Sequence, residues 1–310
     1  MSDELVTLRL AHSPDSDDLV MWWPLTGMRG PDGAAVDGPL GRPVIETGRF
    51  RFETVARDVE ELNKLVVGDT PGARPYDITA ISCAAYPFIA DRYAITRSGG
   101  SFGEGYGPKV VVREDAGVRT VEALRGKRVA VPGVRTSAFL TLTRMLGGFE
   151  HVEMLFSEIP GAVARGEVDA GLLIHEAQLT FAEQGLRAIA DVGVWWEGET
   201  GMPLPLGLNV IRRDLDERFG AGTVREVAGM LTASIRHAVE HADDSHRFLV
   251  LNAGDRTEWN DRALVDQYLS MYVSGLTLDM GETGIAAIRE LLSRGAGAGV
   301  VPACERVDPV

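Results

Sequence analysis

His175 is the residue best placed to move a proton. It follows the run Val168-Asp169-Ala170-Gly171-Leu172-Leu173-Ile174, which reads as a continuous apolar strand ending in His175-Glu176. An imidazole exchanges protons near neutral pH, and the carboxyl ends of strands are where ligands sit in open α/β sheets. The competing role is a ring that only hydrogen-bonds a neighbouring loop. If the strand continues, Glu176 points to the opposite face and reads as a structural partner rather than a carboxylate orienting the imidazole.

Hydroxyl-bearing residues occupy two other strand ends. Tyr76 to Ser82 is a strand that delivers Ser82 to its carboxyl end, and Thr136-Ser137-Ala138 opens a helix directly after a strand. Free N–H groups at such a helix start make a seat for a carboxylate, and the hydroxyls can equally serve as ordinary helix caps. In the loop Ser13-Pro14-Asp15-Ser16-Asp17-Asp18, ahead of an apolar helical stretch from Leu19 to Leu25, Asp17 and Asp18 are either caps or ligand contacts.

Other constellations carry less. His237 and His241 are four apart on an expected helix, a spacing that can seat a metal, but no third ligand accompanies them. Neither Ser82 nor Ser137 lies in a GxSxG elbow, and Cys83 has no evident partner. The glycine-rich run from Gly99 to Gly105 has no Walker lysine, which argues against a nucleotide. Trp195-Trp196, with Glu197, either line a ligand cleft or cover a core, and core packing is the expected role.

The elements that must carry these residues are legible in outline. Of 310 residues, 45% are hydrophobic and 25% charged, enough for a sizeable core. A formal net charge of −14 repels phosphate backbones, which excludes nucleic acid and anionic membrane surfaces as expected partners. The start, Met1-Ser2-Asp3-Glu4-Leu5, shows no secretion signal, and no apolar run approaches the roughly 20 residues of a bilayer span, so a cytoplasmic protein without membrane insertion is expected. The only cysteines, Cys83 and Cys304, are expected to be reduced, with no disulfide and no structural metal.

Short β-branched runs alternate with helical patterns, which predicts α/β layering with mostly parallel strands. Residues 29–49 read as an extended surface loop. The approach to Lys109-Val110-Val111-Val112-Arg113 reads as a first crossing into a second lobe, and Leu206 to Ile211 as the return. Helices are expected near Val224 to His241, Asp261 to Tyr272 and Gly284 to Ser293. The expected fold is therefore the two-lobed, type 2 periplasmic-binding-protein-like α/β fold with two interlobe crossings. Residues 1–108 and 207–310 would form a larger discontinuous lobe, residues 109–206 a smaller inserted one, and the active site would lie in the cleft between them.

Several segments together resemble the 1,4-dihydroxy-6-naphthoate synthases of the futalosine route to menaquinone. They are AHSPDSDD at 11–18, DITAISCAAYPFIADRYAITRSGGSFGEGYGP at 77–108, VAVPGVRTSAF at 129–139, GEVDAGLLIHEAQLTFAEQGL at 166–186, DVGVWWEGETGMPLPLGLNVIRRDL at 191–215 and YVSGLTLDMGETG at 272–284. They run in family order over nearly the whole chain, and IHE followed by WWEGETGMPLPLG is the most specific part. The resemblance implies a lyase that converts cyclic dehypoxanthinylfutalosine to 1,4-dihydroxy-6-naphthoate and dihydroxyacetone, without metal or redox cofactor. It implies His175 as proton acceptor, with Ala80, Ile81 and Ser82 on one side and Ser137 and Ala138, beside Thr136, on the other as substrate contacts; Asp17 joins them as a candidate contact.

Two departures matter. Some relatives carry a lysine where Ala80 stands, and a CPNDTF loop where this chain reads DSDDLV at 15–20. Without that lysine, carboxylate binding must rest on backbone N–H groups, hydroxyls or an arginine such as Arg97 or Arg135. The alternatives are a related menaquinone-pathway lyase acting on a chorismate-like acid and a non-catalytic small-carboxylate-binding protein. Sequence leaves the oligomeric state open, a homodimer included.

Overall fold

The computed structural model describes residues 5–70, 72 and 75–310. The chain first builds β1 (Val6–His12), α1 (Ser16–Thr26), β2 (Phe50–Ala56), α2 (Val59–Val67) and β3 (Ile78–Ser82), with β1 parallel to both β2 and β3. Asp58 starts α2 by accepting from the amides of Glu60 and Glu61, and Gly68 closes it in the left-handed conformation that a residue without Cβ adopts freely. Every residue of β3 is buried, as expected of a strand covered on both faces.

After β4 (Tyr93–Ile95) and β5 (Ser101–Gly103) the chain crosses into a second sheet. That sheet contains β6 (Lys109–Arg113), β7 (Val129–Val131), β8 (His151–Glu153), β9 (Ala170–Leu173) and β10 (Leu186–Asp191), in the order β10-β6-β9-β7-β8. Its helices are α3 (Ser137–Leu146), α4 (Ile159–Ala164), the single turn α5 (Ala177–Thr180) and α6 (Val192–Thr200). Strand β11 (Leu204–Arg212) then returns to the first sheet, giving the order β2-β1-β3-β11-β4, with β5 paired to β11. Six helices finish the chain: α7 (Leu215–Phe219), α8 (Thr223–Glu240), α9 (Ala242–Leu251), α10 (Arg262–Tyr272), α11 (Gly275–Leu278) and α12 (Gly281–Gly297).

Each sheet has its own apolar core. Leu8, Leu10, Trp22, Leu231 and Ile235 pack β1 against α1 and α8, while Val110, Val112, Val129 and Leu142 fill the space between the second sheet and α3. Leu140 of α3 joins the cluster of Tyr86, Ile288 and Leu291, so that α12 and the second sheet's first helix share one patch of core.

Four expectations change. The strands are mixed rather than mostly parallel: β11 runs antiparallel to β3, β4 and β5, and β6 runs antiparallel to β9 and β10. The cause is connectivity, because β6 and β11 carry the crossings and enter their sheets against the direction of the parallel units. The strand before His175 is only Ala170–Leu173, and β11 begins at Leu204, earlier than Leu206. Helices α5, α6, α7, α9 and α11 have no counterpart among the expected ones, and of these only α6 and α9 exceed five residues. Their sequences, VGVWWEGET and ADDSHRFLVL, lack a clean apolar stripe or carry charge where the core face would fall. Residues 29–49 are largely irregular as expected, with a bridge between Arg29 and Ala35 and one 3₁₀ turn at Pro39–Gly41.

Candidate active site

A cleft with an empty volume of about 680 Å³, part of it open to solvent, lies where the loops after β1, β3, β7 and β9 converge. Ala80, Ile81, Ser82, Thr136, Ser137, Ala138, Asp17 and His175 all line it, so residues from four distant stretches of sequence face one space.

His175 sits beyond the end of β9 with φ +55°, the one non-glycine positive φ among the described residues. A residue with a Cβ pays for that conformation, and such outliers persist only where the surroundings hold them. The turn ends the strand's alternation, so the expectation that Glu176 points to the opposite face for reasons of pleat does not apply. Glu176 is nonetheless tied to structure: its Oε1 accepts from the Ser16 amide at 3.1 Å, the Ser16 hydroxyl at 2.8 Å and the Trp259 indole at 3.3 Å.

The His175 ring is fixed on two sides. Its Nδ1 meets the Oδ2 of Asp15, and Phe156 packs edge-on with ring centroids 4.6 Å apart. Nε2 is buried and has no hydrogen-bond partner, and the residue lines the cleft. Burial alone disfavours the imidazolium, but the charge and hydrogen bond of Asp15, with Glu176 and Asp17 behind it, outweigh that and raise the pKa to about 9. Asp15 is correspondingly held low: burial opposes its ionisation, and the His175 charge and hydrogen bond overcome the opposition.

Asp15 escaped the sequence reading. It occupies the N-cap position of α1, where an aspartate normally accepts from the helix amides, yet its side chain makes no cap bond and turns to His175 instead. An acid before a helix signals a cap in sequence; nothing local signals a histidine 160 positions away.

Asp17 and Asp18 are not caps either. They lie inside the first turn of α1, where Asp17 Oδ1 accepts from the Tyr268 hydroxyl at 3.0 Å and Asp18 Oδ2 from the Ser13 amide at 2.7 Å. Burial first, and then the charge of Asp15, push Asp17 well above the carboxylate range and Asp18 up to about 8. Both are therefore biased toward the protonated form, next to an Asp15 held toward the ionised one.

Asn63, fully buried on α2, holds Ser82 from behind and also donates to Glu60 Oε2 at 3.1 Å. Glu60 in turn accepts from the Arg135 amide at 3.2 Å, and burial pushes its pKa to about 7. Thr136 caps α3, its hydroxyl accepting from the Phe139 amide at 3.1 Å. The Ser137 hydroxyl donates to the Leu206 carbonyl at 2.7 Å and accepts from the Ala84 amide at 3.3 Å. What the start of α3 presents to the cleft is thus chiefly the backbone: the amides of its first turn have no intrahelical acceptor.

Neither arginine considered as a replacement for the missing lysine reaches the cleft. Arg97 pairs with Asp279, and Arg135 pairs with Asp69 and stacks over Phe88. No lysine or arginine lines the cleft among the described residues, which leaves His175 as its one basic side chain. His237 and His241 stack on each other with centroids 3.9 Å apart, and no cluster of three or more His, Cys, Asp or Glu is placed to share a metal among the described residues. Trp196 is fully buried, with its indole donating to the Pro203 carbonyl at 3.2 Å, as core packing requires. No helix of the described residues is long and apolar enough to cross a membrane.

Comparison with known proteins converges on one family. A menaquinone-biosynthesis family model matches residues 8–297. The chain is 35% identical over 293 residues to a 1,4-dihydroxy-6-naphthoate synthase of Thermus thermophilus, covering 94% of this chain and 95% of that one. It is 36% identical over 304 residues to the Streptomyces coelicolor enzyme of the same name, covering 96% and 95%. A crystal structure of an Archaeoglobus fulgidus protein superposes with TM-score 0.77 at 36% identity, covering 94% of this chain and 97% of that one. The alkanesulfonate-binding protein SsuA of Xanthomonas axonopodis pv. citri shares the fold, with TM-score 0.65 at 16% identity, covering 96% and 95%. The architecture is the two-lobed periplasmic-binding-protein-like α/β fold, and the chain belongs to the menaquinone-biosynthesis family of enzymes that includes the 1,4-dihydroxy-6-naphthoate synthases.

Proposed function

We propose that this protein is the lyase that converts cyclic dehypoxanthinylfutalosine to 1,4-dihydroxy-6-naphthoate and dihydroxyacetone, with His175 as general base. The observation that carries the proposal is His175 lining a cleft between two lobes, with a buried Nε2 that has no hydrogen-bond partner. Carbon–carbon cleavage that releases an aromatic ring is driven by aromatisation. The protein then has to accept a proton, hold the ring system and stabilise developing oxygen charge.

The lining supports each task. Nε2 is the acceptor. The amides at the start of α3, with Thr136, Ser137 and Ala138, would take the carboxylate, and Ala80, Ile81 and Ser82 would border the ring. Asp17, whose burial favours the protonated carboxyl, would serve as a hydrogen-bond donor to a substrate oxygen. At pH 7 a base with a pKa near 9 is neutral in roughly 1% of molecules, so its strength as a base comes with a rate that climbs as pH rises.

The same reading divides the lobes at 1–108 with 207–310 and at 109–206, and puts the reaction in the cytosol, with a small molecule as partner rather than nucleic acid or membrane. The test is to incubate the purified protein with cyclic dehypoxanthinylfutalosine and follow naphthoate absorbance, with His175→Gln alongside. Turnover by the parent and a loss of roughly 10²–10⁴-fold in the variant are expected. Turnover of a chorismate-like acid instead, or tight binding without turnover, would replace the proposal with a different lyase or with a binding protein. Near-normal turnover by the variant would remove His175 as the base.

A further inference from the structure

The base and the group that orients it come from opposite lobes. Asp15 is carried by the start of α1, which packs on the first sheet, while His175 follows β9 of the second sheet. Asp15 Oδ2 meets Nδ1, and the Ser13 hydroxyl beside it on the cleft wall also favours the charged Asp15 carboxylate. Glu176 makes a second contact of the same kind, reaching Ser16 and Trp259 from the residue next to His175.

We infer that Asp15 is a positioning residue for the reaction, one that fixes the His175 ring with its Nδ1 proton toward Asp15 and its Nε2 lone pair toward substrate, and does so only when the lobes are closed. The inference rests on the proposed role of His175 as base. An imidazole can carry its single proton on either nitrogen, and only the Nδ1-protonated form offers Nε2 as acceptor. A carboxylate at Nδ1 selects that form and stabilises the charge the ring gains when it takes a proton. Because the carboxylate arrives from the other lobe, an open molecule holds a ring of unselected tautomer and lower basicity.

Asp15, Asp17 and Asp18 come from α1, Glu176 from its own turn, and Asp58 acts at longer range from the start of α2. Phe156 contributes an apolar edge with no charge. Asp17 and Asp18 are the two pushed toward neutrality, which leaves Asp15 as the dominant charge in contact with the ring.

The test is Asp15→Asn, with kcat, KM and the pH profile measured in the naphthoate-forming assay beside His175→Gln. A fall in kcat of roughly 10²–10⁴-fold with KM changed less than about threefold is expected, together with an acid limb of the kcat profile, which reports the substrate-bound form, shifted to lower pH. Asp15→Glu, which keeps the charge, is expected to restore the position of that limb. An asparagine variant with the parent's pH profile overturns the inference while leaving His175 as base if His175→Gln is inactive; an active His175→Gln overturns both. Histidine ¹⁵N spectra of the unmodified enzyme saturated with 1,4-dihydroxy-6-naphthoate, recorded above the His175 pKa of about 9 where the ring is neutral, give an answer that needs no variant. A His175 ring protonated on Nδ1 supports the inference, and one protonated on Nε2 alone overturns it.

Discussion

Asn63 grips Ser82 at both ends: its Oδ1 accepts from the Ser82 amide at 2.8 Å, and its Nδ2 donates to the Ser82 hydroxyl at 3.1 Å. Asn63 is fully buried, so removing its amide strands the Ser82 N–H and one oxygen of Glu60. Asn63→Ala is expected to cost about 2 kcal/mol of stability in urea melts, and to raise KM because Ser82 loses its fixed orientation. An unchanged denaturation midpoint would show that the network is not under load.

Stability should decline as pH rises. His175 goes from an ordinary value of 6.5 to about 9, Asp18 from 3.8 to about 8, and Glu60 from 4.5 to about 7. Each is raised in the folded state. Each therefore contributes stability that is complete below its unfolded pKa and lost as pH passes through its folded one. The window runs from about pH 4 to about pH 9. Melting temperature is expected to be higher at pH 5.5 than at pH 8.5, and a flat or rising profile over that interval would contradict the three shifts taken together.

Ser137 bridges the start of α3 to β11 through Leu206 and to the segment after β3 through Ala84. Its hydroxyl is spent on protein groups, so Ser137→Val should act mainly on the protein and only secondarily on ligand. A loss of about 1–3 kcal/mol in thermal or chemical unfolding is expected, with a KM increase that follows from the disturbed helix start. A variant with normal stability and a raised KM would instead place the hydroxyl on the substrate.

Gly133 adopts φ +150°, and a Cβ there would lie 2.3 Å from Glu60 Cδ and Cγ. Glu60 is held by Asn63 and by the Arg135 amide, so it cannot simply swing away. Gly133→Ala is expected to wedge the two lobes apart, raising KM several-fold and increasing the radius of gyration of the ligand-saturated protein in solution scattering. Equal radii for parent and variant would show that the loop yields without opening the cleft.

Much of this site could be read from residue order, for a physical reason. Strand ends are marked by an abrupt change from apolar runs to polar residues, which is how Ser82, Thr136 and His175 were found, and in an open α/β fold such ends converge. The parts that stayed hidden depend on partners far away in sequence. Asp15 looks like a cap because only three dimensions show His175 in front of it. Arg97 and Arg135 look available because only three dimensions show Asp279 and Asp69 already paired with them. The antiparallel entry of β6 and β11 was illegible for a related reason: local pattern specifies a strand's faces but not its direction among its neighbours.

If the substrate carboxylate rests on the helix-start amides as proposed, with no lysine or arginine lining the cleft and a formal charge of −14 on the molecule, capture has an unusual kinetic signature. Most anion-binding proteins attract their ligands through a surrounding positive potential, and added electrolyte slows capture. Here the far field pushes a carboxylated molecule away, so screening should speed the encounter, while dissociation, governed by short contacts in the closed pocket, should hardly respond. Stopped-flow association of the naphthoate is accordingly expected to accelerate between 20 and 300 mM salt, the reverse of electrostatic steering.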